Sequence, residues 1–238
     1  MVQKGYDKRF ATAVVAAAGS IGVIIPPSIP MVIYGVSGSV SIGDMFIAGI
    51  IPGIMIGIGL MIYSYIHSKK MGYTGSDQAT TIRGVLTALW EAKWALLIPV
   101  VILGGIYGGI FTPTEAAVVA VVFGLIVSVF VYKELKFKDL PQIFVDSALT
   151  TATVLVIVGA ATAFGRLLTI EQIPNQIAQA MLSISSEPLI VMLLITLLLL
   201  IVGCFMDTIA AIIILTPILL PVATQIGYDQ IHFGIIII

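Results

Sequence analysis

Charge is scarce in this chain. Lysine, arginine, aspartate and glutamate make up 10% of the 238 residues, against roughly a quarter in a soluble domain. That shortage, with 59% hydrophobic residues, excludes an ordinary soluble domain. Cysteine is almost absent too. The lone Cys204 excludes an intrachain disulfide framework and most cysteine-based metal sites. No apolar h-region follows Met1, so no signal peptide is visible. The net charge of -1 says nothing about partners, because the charges are segregated by position, and no nucleic-acid partner is expected.

What fills the chain instead is apolar runs, several approaching the ~20 residues that cross a bilayer. The expectation is an all-α polytopic membrane protein. The last four residues, Ile235–Ile238, read as the inside of a helix, so a fragment of a longer protein is expected.

One apolar segment, 11–40, is interrupted. Gly19, Ser20, Gly22, Pro26, Pro27, Ser28 and Pro30 fall within it. Proline removes a backbone donor and clashes with the preceding turn, so a continuous helix is excluded here. In lipid each freed N–H and C=O must find a partner, so a break at membrane depth needs protein or a polar cavity around it. Secondary transporters build ion and substrate sites this way. The plainer alternative is a kinked helix with no ligand.

Further spans are expected at about 45–66, 94–111, 114–132 and 139–168. Ser41 and Asp44 resemble a capping box, and Thr112-Pro113-Thr114-Glu115 is a fuller one, with proline at the first helical position. Asp139 is placed to cap the fifth span. Gly49, Gly53 and Gly57 recur at a spacing that admits a neighbouring helix, as do Gly104 with Gly108 and Gly105 with Gly109. Residues 72–93 read as an interfacial connector with Trp90 and Trp94 at the membrane boundary. Residues 169–187 read as a polar stretch. Beyond it, 188–226 is expected to form a re-entrant hairpin with Asp207 near its tip. His67 and His232 read as interfacial and solvated.

The basic clusters at Lys4–Arg9, His67–Lys93 and Lys133–Lys138 fall on one side of this arrangement, the cytoplasm by the positive-inside rule. Arg166 alone lies towards the other side. Residues 2–10 and 222–233 also share a pattern: Gly5-Tyr6-Asp7 before Phe10, and Gly227-Tyr228-Asp229 before Phe233. The first copy is basic and the second has no lysine or arginine, which fits an inverted-topology repeat.

Taken in order, Gly5-Tyr6-Asp7-Lys8-Arg9-Phe10, residues 21–31 with Ile25-Pro26-Pro27-Ser28, residues 46–53 with Pro52-Gly53, Thr112–Ala117, Phe205-Met206-Asp207-Thr208 and Leu215–Pro221 closely resemble the large membrane (M) subunit of tripartite ATP-independent periplasmic (TRAP) transporters. The resemblance implies the ion transporter superfamily fold, an inverted repeat with broken helices and a re-entrant hairpin. It implies sodium-driven import of an organic acid, such as a dicarboxylate or sialic acid, by an elevator mechanism in the bacterial inner membrane. It implies two partners, a small four-helix membrane subunit and a periplasmic substrate-binding protein. Residues 1–40 would then be a transport-domain broken helix, 41–142 scaffold helices and connector, and 143–238 the second-repeat transport elements. One departure is visible. Where the family usually carries a polar Ser-Ser-Thr-like run, this chain has Ala18-Gly19-Ser20-Ile21-Gly22-Val23, which leaves Ser20 and backbone carbonyls as ligands.

The ion-binding residues expected are Ser20, Gly22, Ile25 and Pro26 on the broken helix, and Gly203, Met206 and Thr208 at the hairpin. Sodium prefers oxygen, and carbonyls with short hydroxyls supply it. Substrate contacts are expected from Ser20, Ser28, Asp207 and Arg166. Ser28 and Asp207 each also fit a helix N-cap, and Arg166, close to a helix end, also fits snorkelling. No cofactor besides coupling sodium is expected, and no catalytic residue. An intramembrane aspartyl protease is the enzyme alternative, from Tyr6-Asp7 and Tyr228-Asp229, but its Gly-x-Gly-Asp partner sequence is absent. An ion channel is the other alternative.

The charge-derived topology is testable by labelling. With Cys204→Ser as background, Ser39→Cys and Lys136→Cys should react with a membrane-impermeant maleimide from opposite sides. Reaction of both from the same side overturns it.

Overall fold

The computed structural model describes residues 1–2, 5–73, 81–184 and 187–238. Lys4 of the first basic cluster, residues 74–80 of the connector and residues 185–186 of the polar stretch lie outside the described residues. Helices account for the regular structure: α1 (Lys8–Ile24), α2 (Ile29–Gly38), α3 (Ile42–Lys70), α4 (Ile82–Glu91), α5 (Lys93–Tyr107), α6 (Pro113–Ile126), α7 (Leu140–Ile170), α8 (Ile173–Ile184), α9 (Pro188–Gly203), α10 (Thr208–Gln225) and α11 (Gln230–Ile237). A π-helical turn, Val127–Val131, prolongs α6. Four segments are long and apolar enough to cross a membrane, and up to six if each of two bent pairs counts as one span. The protein is thus all-α and multi-pass.

Two compact units divide the chain. One joins Met1–Pro27 to Gly49–Glu134, the other Ser28–Ala48 to Leu135–Ile238.

In the first unit, Asp7 starts α1 by accepting the N–H groups of Arg9 at 2.9 Å and Phe10 at 3.0 Å. The Asp7 N–H donates to the Tyr73 hydroxyl at 3.1 Å, and the Phe10 ring stacks on His67 with centroids 4.2 Å apart. His67 is therefore half-buried among aromatic rings instead of solvated, because the end of α3 packs on the start of α1. Gly53 fits the expected close approach: a Cβ there would lie 2.5 Å from Ile25 Cγ1. The α3 helix keeps Pro52 inside it and runs for 29 residues, well beyond the expected 45–66, out to the polar end at His67, Lys69 and Lys70. A bend of 66° separates α4 from α5, and the Lys93 ammonium sits 3.7 Å from the Trp90 ring centroid at that corner, a cation–π contact.

The glycines at 104–109 correct the packing expectation. Nothing lies within 4 Å of a Cβ built at Gly104 or Gly109, and a Cβ at Gly105 would strike the Phe111 ring of its own turn. They close the end of α5, with Gly109 at φ +67, and among the described residues no neighbouring helix approaches Gly104 or Gly109. The following Thr112–Glu115 capping box forms as expected: Glu115 accepts the Thr112 N–H at 2.8 Å, and Thr112 Oγ1 accepts the Glu115 N–H at 3.3 Å. Ser41 Oγ likewise accepts the Asp44 N–H at 3.3 Å.

The second unit is built around α10, which packs on α2, α7, α8, α9 and α11. Its Ile212, Leu219, Val222 and Ala223 are buried to 1% or less, against Met31 and Tyr34 of α2 and Phe233 of α11, which are fully buried. The Tyr34 hydroxyl donates to the Gln230 carbonyl at 2.6 Å, tying α2 to the start of α11. Two expectations change here. Asp139 makes no side-chain cap on α7; its carboxylate turns back to the Lys136 N–H at 3.1 Å and closes the preceding turn. The polar stretch at 169–187 contains an amphipathic helix, α8, whose alternation of Ile173, Ile177 and Ala180 with polar residues lets it pack on α10.

Gly234 gives a direct test of this packing. A Cβ there would meet the Tyr34 ring and lie 2.8 Å from Met45 Sδ. Gly234→Ala should destabilise by about 1–3 kcal/mol, seen as a lower melting temperature of the full-length protein in detergent. Gly159→Ala, in helix interior with nothing within 4 Å, should be neutral or slightly stabilising.

Candidate functional site

The proline break is real and local. Helix α1 ends at Ile24, Ile25 is extended at φ -77 and ψ 125, and α2 begins at Ile29. The Pro26-Pro27 peptide is cis. The Ile21 carbonyl still accepts the Ile25 N–H, at 2.9 Å, but the amide that would normally donate to the Gly22 carbonyl belongs to Pro26 and does not exist. Ser28, buried, caps α2 by accepting the Met31 N–H at 3.4 Å. Ser20 sits a turn earlier, within regular helix and exposed, and its hydroxyl donates to the Ala17 carbonyl at 2.7 Å. The unwound backbone is therefore 25–28, so that Ser20 and Gly22, expected as ligands on the broken helix, lie within regular helix. Ile25 is 39% exposed and Pro26 is buried.

The second group of expected residues comes together at the turn between α9 and α10. Gly203, Met206 and Thr208 line one cavity of about 240 Å³, with Thr196 of α9 and Ile236–Ile238 on other walls. At 16 residues, α9 is short of a full span, so α9 and α10 with their four-residue turn fit a re-entrant hairpin. Asp207 caps α10, accepting the Ile209 N–H at 3.0 Å, and is exposed. The carbonyl end of α9 carries partial negative charge and the amide end of α10 partial positive charge. The turn thus offers carbonyls and the Thr208 hydroxyl to a cation, and N–H groups to an anion. Among the described residues no three His, Cys, Asp or Glu side chains gather as a metal site.

Arg166 is not part of that cavity. It lines a separate one of about 280 Å³ between α7, α10 and the end of α2, with Ser37, Thr162 and Thr169.

A family model described as "Tripartite ATP-independent periplasmic transporter, DctM component" matches residues 1–238. The chain belongs to this family. It is 52% identical, over all 238 residues, to the isethionate TRAP transporter permease protein DctMQ of Oleidesulfovibrio alaskensis, covering 38% of that protein. It is 40% identical to the C4-dicarboxylate TRAP transporter large permease protein DctM of Pseudomonas aeruginosa, covering 56% of it. Over 233 residues it is 43% identical to the sialic acid TRAP transporter large permease protein SiaM of Vibrio cholerae, covering 54% of it. The chain thus spans about two-fifths to just over half the length of these relatives, all of which are permeases and none an enzyme.

The two Tyr-Asp sites agree in detail. Gly5 and Gly227 have φ of +83 and +89. Their N–H groups donate to Val2 and Thr224, three residues back, and those of Tyr6 and Tyr228 to Met1 and Ala223, five back. Asp229 then caps α11, accepting from Ile231 at 2.8 Å and His232 at 3.1 Å, as Asp7 does for α1. Both carboxylates are committed to caps, which is the structural explanation of the pair that suggested a protease.

Two site features were missed. Thr196 is the one hydroxyl in the apolar run of α9 and donates to the Met192 carbonyl at 2.9 Å; its isolation among leucines was a usable signal. Thr216 is fully buried, and its Oγ1 has no hydrogen-bond partner among the described residues. It lies beside Pro217, against Gly38, where a Cβ would be 3.5 Å from Thr216 Cγ2.

Asp207→Ala should loosen the start of α10 by about 1 kcal/mol, read as roughly fivefold faster amide exchange at Ile209. Asp207→Asn keeps a capping oxygen and should leave that exchange unchanged.

Proposed function

We propose that this chain is part of the large permease of a TRAP transporter that imports a carboxylated or sulfonated organic acid with sodium. The observation that carries the reading is the hairpin turn of the second unit, where the C-terminal end of α9, the N-terminal end of α10, Thr208 and Thr196 face one cavity. Family membership supports transport, and the relatives' names give the acid classes: isethionate, C4-dicarboxylate and sialic acid.

In this proposal sodium is cargo. The donors on the first unit are backbone carbonyls at Gly22, Ile25 and Pro26 beside Ser20; those on the second, taken separately, are Gly203, Met206 and Thr208 at the hairpin. Order in these segments then raises affinity for the acid, whose negative groups meet the N–H ends of α2 and α10 beside Ser28 and near Asp207. Residues 1–40 and 143–238 contribute the moving transport elements and residues 41–142 the scaffold, working as an elevator. A soluble periplasmic protein delivers the acid, a small four-helix subunit completes the membrane part, and the assembly resides in the bacterial inner membrane.

The test is uptake of labelled isethionate, succinate and sialic acid by the full-length complex in proteoliposomes, with its binding protein and with or without a sodium gradient. Asp207→Ala and Ser28→Ala should each lower sodium-dependent uptake about tenfold, the effect of one lost interaction near 1.4 kcal/mol. Thr208→Val should raise the sodium concentration for half-maximal uptake. Sodium-independent uptake, or uptake unchanged in all three variants, counts against the proposal.

A further inference from the structure

The cavity that holds Arg166 has a shape the transport reading does not use. From α7 it takes Val158, Ala161, Thr162, Gly165, Arg166 and Thr169, a single stripe with the i, i+3, i+4 spacing of one helix face. That stripe covers 11 residue steps, about 16 Å of helix axis. Its two ends differ. Arg166 stands four residues from the end of α7 at Ile170. Away from Arg166 the stripe continues as Thr162, Ala161 and Val158, and Ile213 and Pro217 of α10 with Val36 of α2 are further walls of the cavity. Gly165 lets α10 come close, since a Cβ there would lie 3.4 Å from Pro217 Cγ.

The guanidinium at the shallow end is chemically unspent. Arg166 is the only lysine or arginine in residues 139–238. No ion pair or hydrogen bond engages it among the described residues, and no carboxylate lines the cavity. Glu171, the nearest acidic residue in sequence, is outside the lining, and its carbonyl instead accepts from Gln176 Nε2. Ser37 adds a second donor to the lining. The Thr169 hydroxyl donates to the Gly165 carbonyl at 2.9 Å and the Thr162 hydroxyl to Val158 at 2.7 Å, so each keeps lone pairs for a donor in the cavity.

We propose that this cavity binds one anionic phospholipid. Its phosphate meets Arg166 and Ser37, hydroxyls of its headgroup donate to Thr169, and an acyl chain follows Val158, Ala161 and Ile213 inwards. A guanidinium suits a phosphate because its fork of N–H groups matches two oxygens at once. A basic residue one turn inside the end of a membrane helix lies at headgroup depth. The join of one cationic end to an apolar trough about 12 Å deep between Arg166 and Val158 selects an amphiphile over a soluble anion. The inference does not depend on the hairpin site, which has a different cavity.

Native mass spectrometry of the full-length permease complex, delipidated in detergent and supplied with phosphatidylglycerol or phosphatidylcholine, tests it. Wild type should retain one phosphatidylglycerol at least tenfold better than phosphatidylcholine. Arg166→Ala should abolish that preference and Arg166→Lys should keep part of it. Val158→Trp should fill the trough and release the lipid with Arg166 intact, which decides the matter even if Arg166→Ala fails to assemble. A large molar excess of inorganic phosphate or succinate should leave the lipid in place. Equal retention of the two lipids, unchanged retention in Arg166→Ala or in Val158→Trp, or displacement by either soluble anion overturns the proposal. Displacement would instead mark a soluble-anion site.

Discussion

Every distinctive feature of this chain follows from one constraint: in hydrocarbon, a backbone carbonyl deprived of its amide partner costs several kcal/mol unless something else meets it. Prolines decide where that happens. Pro52 and Pro99 each remove one donor, and α3 and α5 continue through them. Pro26 and Pro27 remove two in succession, and each also steers its predecessor away from helical angles. The outcome is the extended Ile25 and the restart at Ser28. The distinction between a kinked span and a broken one is therefore the adjacency of the prolines, not their number.

Pro217 and Pro221 show the intermediate case. Four residues apart, they lie on one face of α10 and leave the helix intact, while depriving the Ile213 and Pro217 carbonyls of their normal donors. That face borders the Arg166 cavity, where Ile213 and Pro217 are both walls. The neighbouring Thr216 hydroxyl is buried without a partner. In the second unit, the polar groups that these two prolines and Thr216 leave unanswered lie on α10, the helix on which the rest of that unit packs.

The second lesson concerns how capping shapes a repeat. Gly-Tyr-Asp recurs because it encodes a complete local device. Glycine takes a left-handed angle no other residue adopts cheaply, the next amide closes the preceding turn, and aspartate opens a helix. The device works the same way at Asp7 and Asp229, although one copy stands among basic residues and the other does not. Local structure and the surrounding charge are thus carried by different residues, so one pattern works in both settings.

Residues acting within four positions of one another were legible from the chain alone: the break at Pro26-Pro27, the caps at Ser28, Thr112 and Asp207, and the hairpin turn. Their causes are backbone donors and short hydrogen bonds, which spacing states outright. Contacts made across helices were not. The same glycine spacing that receives α1 at Gly53 only closes a turn at Gly105, because the outcome depends on what lies opposite. His67 was expected in water and stacks on Phe10, and α8 was expected as a polar stretch and packs on α10. Arg166 could be placed near a helix end by counting, yet its neighbours Ser37 and Ile213 come from distant parts of the sequence. Sequence by itself determined where the backbone lacks partners, since that is written in proline and glycine; only the tertiary structure decided which side chains face those places, since burial is a property of neighbours that no single helix carries.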